Sequence, residues 1–133
     1  MSIKLEGRAQ ELLQATNFAD VCTLRADGSV HCVPVWVDVS DGVPSVNTAR
    51  GRAWPNNLER DPRITITVQN MENPYEYVTI RGRVSEMTHE GADAHIDSLA
   101  KKYMGADEYP FRQPGEERLI VRVDAEAVHL SAR

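Results

Sequence analysis

The residues with the clearest chemical potential lie in one stretch, Asn47-Thr48-Ala49-Arg50-Gly51-Arg52-Ala53-Trp54-Pro55-Asn56-Asn57-Leu58-Glu59-Arg60-Asp61-Pro62-Arg63. It gathers Arg50, Arg52, Arg60 and Arg63 in a chain whose formal net charge is -5. The small residues Thr48, Ala49, Gly51 and Ala53 alternate with the first two arginines. Small residues let a backbone approach an anion closely while guanidinium groups grip it through charge-assisted hydrogen bonds. Pro55 suits the first turn of a short helix, whose unpaired N–H groups also face an anion. One reading is a phosphate clamp for a cofactor. The other is a solvated turn between two strands, its arginines paired to Glu59 and Asp61, an arrangement that is common and contributes little. Both stay open on this stretch alone.

Other chemistries lack their residues. There is no GxGxxG after a strand and no Walker-type loop, which leaves a Rossmann or P-loop nucleotide site unsupported. His31, His89, His95 and His129 are scattered without ligand spacing, so no metal site is expected. His31 and Cys32 are sequence neighbours that point to opposite faces of a strand, the wrong geometry for a nucleophile and its base. No serine sits in a nucleophile elbow. Any enzymatic chemistry is then expected from a bound cofactor.

The elements that must position this stretch belong to one domain spanning residues 1–133. A chain of this size buries about two thirds of its unfolded surface and needs no staples. The acidic balance argues against double-stranded nucleic acid as a partner. No apolar run approaches membrane-spanning length, and Met1-Ser2-Ile3-Lys4-Leu5-Glu6 lacks a signal-peptide core, so a cytoplasmic protein is expected.

Leu5, Ala9, Leu12 and Leu13 recur at helical spacing and predict an amphipathic first helix ended by Asn17. Ala19 to Leu24 reads as a strand, Ala26-Asp27-Gly28 as a turn and Ser29 to Val39 as a second strand. Val33, Val35, Val37 and Val39 share its core face; Cys32, Pro34, Trp36 and Asp38 share the other. Pro34 donates no hydrogen bond and marks an edge or bulge. Trp36 has two readings, a ligand lying against that edge or packing under a helix or at a subunit interface. A loop of Asp27-Gly28 alone puts Cys22 and Cys32 on opposite faces, whereas Ala26-Asp27-Gly28 with a bulge at the glycine sets them directly opposite. In a cytosolic setting reduced, packed thiols are expected.

After the turn Ser40-Asp41-Gly42, Val43 to Thr48 forms a third strand, and the arginine segment carries a short helix around Asn57 to Arg60. Ile64, Ile66 and Val68 alternate with Thr65, Thr67 and Gln69 in a half-buried strand, followed by a loop over Asn70 to Pro74. Tyr75 to Val84 is the next strand, with Gly82 on its core side marking a bulge or close backbone contact. Thr88 is expected to cap a helix that runs to about Met104, with Ala92, Ile96, Leu99, Ala100 and Tyr103 as its apolar stripe and Gly105 as its C-terminal cap. Ala106 to Glu117 reads as a loop and Arg118 to Val123 as a strand that Ala127 to Leu130 extends or follows. Hairpin spacing and alternating faces predict a mainly β (α+β) fold, a small antiparallel barrel with flanking helices.

Taken in order, Ala26-Asp27-Gly28-Ser29-Val30-His31, Pro34-Val35-Trp36, Asn47 to Ala53, Asn57 to Arg63, Asn73-Pro74-Tyr75 and Tyr77 to Val84 resemble the pyridoxamine 5'-phosphate oxidase-like split β-barrel superfamily. Within it they are most similar to the actinobacterial flavin/deazaflavin oxidoreductases that commonly use coenzyme F420. The resemblance implies a homodimer with two cofactor grooves at its interface. It implies that Asn47, Thr48, Ala49, Arg50, Gly51, Arg52 and Ala53 line the cofactor phosphate, with Arg52 as the main anchor. Pro34, Val35 and Trp36 would lie beside the tricyclic ring, Trp54 and Asn57 around the helix that follows, and Tyr75 and Tyr77 on the substrate side, reaching over from the second subunit. Trp54 stands where many relatives carry a lysine, which weakens the phosphate clamp or shifts it onto Arg50 and backbone N–H groups. The activity implied is hydride transfer from F420 to an electron-poor conjugated small molecule. The alternatives are an FMN-dependent oxidase or reductase, or a non-catalytic protein binding flavin, deazaflavin or haem.

Overall fold

A computed structural model describes residues 2–132. The elements are α1 (Gly7–Gln14), β1 (Ala19–Leu24), β2 (Val30–Val35), β3 (Val37–Ser40), β4 (Val43–Ala49), α2 (Ala53–Arg60), β5 (Arg63–Asn70), β6 (Asn73–Thr88), α3 (Ala92–Met104) and β7 (Arg118–Ser131). All seven strands form one antiparallel sheet in the order β2-β1-β5-β6-β7-β4-β3.

That order has a geometric consequence. β2 and β3 end the sheet at opposite edges, yet Trp36 alone separates them in sequence. The sheet therefore curls until its two edges meet at Trp36, and they part on either side of it: a barrel left open along one seam. The single strand expected over Ser29 to Val39 is thus two strands with different partners, β1 for one and β4 for the other. The alternation survives the break because both halves face the same interior. Val37 and Val39 are buried, and Val33 and Val35 pack against the core at half burial.

The interior is filled by inward residues of every strand, among them Val21, Val46, Ile66, Val68, Val78, Ile80 and Val121, and is closed below by Leu12 and Leu13 of α1 and by Trp54 and Leu58 of α2. Burial of such side chains contributes roughly 1.5–3 kcal/mol each. Gly82 marks the close approach expected of it: a Cβ there would sit 2.1 Å from the Asp124 carbonyl oxygen, and the β6–β7 register shifts at that point. Asn17 follows the end of α1, and its Nδ2 donates to the Leu12 carbonyl at 2.9 Å. Among the described residues no helix is long and apolar enough to cross a membrane.

Several boundaries differ from expectation. The loop over Asn70 to Pro74 is a tight connection in which Met71 and Glu72 alone leave the ladder. β6 continues to Thr88, so Thr88 does not cap α3; Gly91 precedes that helix in a left-handed conformation at φ 77°. Pairing with the long β7 holds these residues in the sheet, a tertiary preference that local helix signals do not report. α2 starts at Ala53, earlier than expected, and β7 is one strand through Ser131. α3 ends at Gly105 at φ 71°, as its sequence predicts. The β1–β2 hairpin uses the loop of Ala26, Asp27 and Gly28, with Gly28 at φ 86°, and sets Cys22 directly opposite Cys32.

Candidate functional site

A groove of about 220 Å³ opens where the sheet edges meet at Trp36. It is lined by Pro34, Val35 and Trp36, by Asn47 of β4 and Arg118 of β7, and by Arg52. Ile96 and Leu99 of α3, Tyr109 and Phe111 from the loop behind it, and Phe18 complete the lining. Among the described residues no carboxylate lines it, while two guanidiniums do. A concave, partly apolar site with one sign of charge attracts anions.

The arginines of the central segment separate by partner. Arg50 pairs with Glu59 at 3.5 Å and Glu117 at 3.1 Å. Arg60 donates to the Leu24 carbonyl at 2.8 Å and to Asn57 Oδ1 at 3.0 Å. Arg63 pairs with Asp61 at 2.7 Å, and its hydrogen bond holds the Asp61 carboxyl down at about 2. Arg52 makes no ion pair or side-chain hydrogen bond among the described residues, and it is the one that lines the groove. The solvated-turn reading thus describes Arg50 and Arg63 and leaves Arg52 without such a partner among the described residues. Gly51, at φ 98°, makes the turn that aims it. Arg52 also precedes the first turn of α2, which has no side-chain cap and no acidic residue.

Arg118 is held differently. It is 2% exposed, and its Nε donates to Asn47 Oδ1 at 2.9 Å. Its guanidinium carbon lies 5.1 Å from the centre of the Tyr109 ring, and Nη1 lies 3.2 Å from Glu116 Oε1, without the alignment of a hydrogen bond. Asn47 Nδ2 spends one hydrogen on the Ala92 carbonyl at 3.1 Å and the other on His95 Nδ1 at 3.0 Å. Nδ1 is therefore an acceptor, so the imidazole proton is on Nε2, which donates to Ser45 Oγ at 3.0 Å. Burial pushes the His95 pKa down to about 4, so this neutral tautomer persists at physiological pH. Asn47 and Arg118 thus have fixed orientations before any ligand arrives.

The Trp36 corner is clamped by α3. Tyr103 Oη accepts from the Val37 amide at 3.1 Å and donates to the Asn17 carbonyl at 2.5 Å. Lys102 Nζ donates to the carbonyls of Leu13 at 2.6 Å and Val37 at 2.7 Å. Burial raises Tyr103 to about 12. Trp36 stacks on Tyr103 with ring centres 5.3 Å apart and meets Tyr109 edge-on at 6.1 Å. Trp36 therefore both packs under a helix and lines the groove. The loop carrying Tyr109 and Phe111 is tied to α3 by the Tyr109 amide on Asp97 at 2.9 Å and by Arg112 on Asp97 at 2.6 Å.

Of the residues that the sequence nominates, the structure brings Pro34, Val35, Trp36, Asn47 and Arg52 to this groove. Thr48 and Ala49 are buried in β4, Thr48 Oγ1 without a partner. Arg50 turns to its acidic partners, and Ala53 is exposed at the start of α2. Trp54 is 3% exposed in the core, and Asn57 is buried with Nδ2 on Thr23 Oγ1 at 3.0 Å. Tyr75 is 65% exposed and Tyr77 half-buried beside His129; neither lines the groove. Sequence reasoning passed over Arg118, His95, Tyr103, Tyr109 and Phe111. The signal available for Arg118 was an arginine opening the apolar run Leu119-Ile120-Val121, and it acquires meaning only from the β4–β7 register.

The family model described as pyridoxamine 5'-phosphate oxidase matches residues 5–132. Among solved structures the chain is similar to an F420 reductase, with TM-score 0.81 and 22% identity over 94% of this chain and 98% of that one. It is similar to conserved hypothetical protein Rv2991 from Mycobacterium tuberculosis, with TM-score 0.76 and 21% identity over 96% and 86% of the two chains. It is similar to General Stress Protein 26 from Bacillus anthracis, with TM-score 0.67 and 14% identity over 92% and 90%. At these identities the likeness is one of fold. A search of curated protein sequences returns no match.

Proposed function

This chain belongs to the pyridoxamine 5'-phosphate oxidase family, and from that premise we propose that its groove holds coenzyme F420 and that the protein is a reductase acting on electron-poor conjugated small molecules. The observation that carries this reading is Arg52, a guanidinium without an ion pair among the described residues, lining a groove that none of their carboxylates lines. It suits the phosphate of the cofactor, with the uncapped first turn of α2 beside it. Pro34, Val35 and Trp36 offer apolar surface to the tricyclic ring. When bound in reduced form, F420 supplies a hydride, a two-electron donation.

The protein's own residues bind, orient and exclude water. Asn47, its amide hydrogens spent on the Ala92 carbonyl and His95, holds Arg118 through Oδ1, so the Arg118 guanidinium is a fixed donor group, and preorganised donors cost nothing to align. His95 and Tyr103 are not proton sources: His95 is neutral with its N–H on Ser45, and the Tyr103 hydroxyl is committed to Asn17. The proton that completes the reduction then comes from water.

The groove of about 220 Å³ is smaller than the roughly 300–1,000 Å³ of ordinary ligand pockets. A second copy completing it would supply the remaining wall, and the exposed Phe18 and Phe111 in its lining are suited to that contact. Tyr75 and Tyr77 would then approach the substrate side from the second subunit. FMN in the same groove, its terminal phosphate on Arg52, is the alternative. Parallel fluorescence titrations with F420 and FMN separate the two. Micromolar or tighter binding of F420 with FMN weaker supports the reading; the reverse preference replaces F420 with FMN; binding of neither rejects the groove as a cofactor site.

A further inference from the structure

The outer face of the β1–β2 hairpin carries a feature that the cofactor groove does not use. Cys22 and Cys32 are register partners, with sulfur atoms 3.1 Å apart. Cys32 is exposed and Cys22 half-buried. The Arg25 amide donates to the Ser29 carbonyl at 2.9 Å, which makes Arg25 and Ser29 a hydrogen-bonded pair at the end of the hairpin. Hydrogen-bonded and non-bonded pairs alternate along an antiparallel ladder. Counting back through Leu24–Val30 and Thr23–His31 makes Cys22–Cys32 a non-bonded pair. Such pairs hold their Cα atoms about 4.5 Å apart with side chains closest, inside the roughly 4.4–6.8 Å that a disulfide spans. The sulfurs need to close by only about 1 Å to bond.

We propose that Cys22 and Cys32 form a reversible cross-strand disulfide site, oxidised by small-molecule disulfides, that clasps the groove wall. The chemistry balances as two exchanges. The Cys32 thiolate attacks one sulfur of a disulfide RSSR, forming a mixed disulfide and releasing RS⁻. The Cys22 thiol gives its proton to solvent and attacks Cys32 Sγ, forming the intramolecular bond and releasing the second RS⁻. Two protein thiols are oxidised, and one RSSR is reduced to two thiols once RS⁻ is protonated. Cys32 is the attacking sulfur on exposure. Burial pushes the Cys22 thiol up to about 11, so it stays protonated while Cys32 attacks, and its own attack rests on being held 3.1 Å from Cys32 Sγ. A hollow of about 210 Å³, lined by Cys22, Leu24, Val30 and Arg63 among others, leaves room beside the pair.

The consequence falls on β2. Among the described residues its only strand partner is β1, and its other edge faces the open seam. Two residues beyond Cys32 this strand supplies Pro34 and Val35 to the groove. A covalent tie to β1 fixes that wall, whereas in the reduced hairpin β2 is held along its length by one ladder and by the packing of Val33 and Val35.

The test uses the full chain equilibrated in glutathione buffers from reduced to oxidised, quenched by alkylation and read by intact mass. The expected product has lost two hydrogens, runs as a single chain on a non-reducing gel and reverts with dithiothreitol. Cys22→Ser stops instead at a stable glutathione adduct on Cys32. By the same alternation the Val33 and Val35 amides bond to β1, and their hydrogen exchange is expected to slow at least about tenfold on oxidation. Two free thiols at full oxidation, or a disulfide between chains, overturns the site. An intramolecular disulfide with unchanged exchange in β2 overturns the clasp. None of these outcomes depends on which cofactor the groove takes.

Discussion

Two arginines face the same groove and are built in opposite ways. Arg118 is buried, bonded to Asn47, stacked against Tyr109 and close to Glu116. Arg52 is exposed and makes no ion pair or side-chain hydrogen bond among the described residues. The first is part of the fold and only secondarily available to a ligand. The second contributes nothing visible to the fold, which leaves its charge free for the ligand proposed above. A charge that the fold has already neutralised is a poor guide to function, and this is why counting arginines in the central segment misleads. Arg50, Arg60 and Arg63 are all committed to partners.

The largest effect should come from the buried member. Arg118→Ala leaves Asn47 Oδ1 unpaired and the nearby Glu116 carboxylate, 10% exposed, without its counter-charge. Breaking a buried pair in this way costs about 3–5 kcal/mol, which a urea denaturation curve reads as a lower midpoint at unchanged slope. A loss below about 0.5 kcal/mol would erase the distinction between the two arginines.

A smaller effect comes from the histidine beneath. The folded pKa of His95 is about 4 against an ordinary 6.5, so between these values the unfolded chain binds a proton that the folded chain refuses. Stability is therefore full above pH 6.5 and falls as the pH drops toward 4, by at most about 3 kcal/mol. His95→Gln should flatten that window in a pH series of denaturation midpoints. An equally steep acid slope in the variant would place the titrating group elsewhere.

How much of this was legible beforehand follows from what each signal reports. Alternation reports which face a residue takes, and the valine face, the α3 stripe and the Gly82 contact all emerged as expected. It does not report which strand lies alongside, so the break at Trp36 and the extension of β6 through Thr88 were missed. The resemblance led to Pro34, Val35, Trp36, Asn47 and Arg52. It could not sort Arg50 from Arg52, because Glu117, which holds Arg50, arrives from a loop far along the chain. Trp54, at the position where a lysine is common in relatives, turned inward to the core, which no local pattern announces.

The measurement that bears most directly on Arg52 is a fluorescence titration with coenzyme F420 of the unmodified protein, Arg52→Ala and Arg50→Ala. Both positions are exposed and outside the core, so both variants should keep their stability within about 0.5 kcal/mol. The free arginine should matter and the paired one should not: Arg52→Ala is expected to weaken binding at least about tenfold, which is about 1.4 kcal/mol, and Arg50→Ala by less than about threefold. Equal losses at the two positions, or none at Arg52, would contradict the assignment of Arg52 as the anchor of the groove.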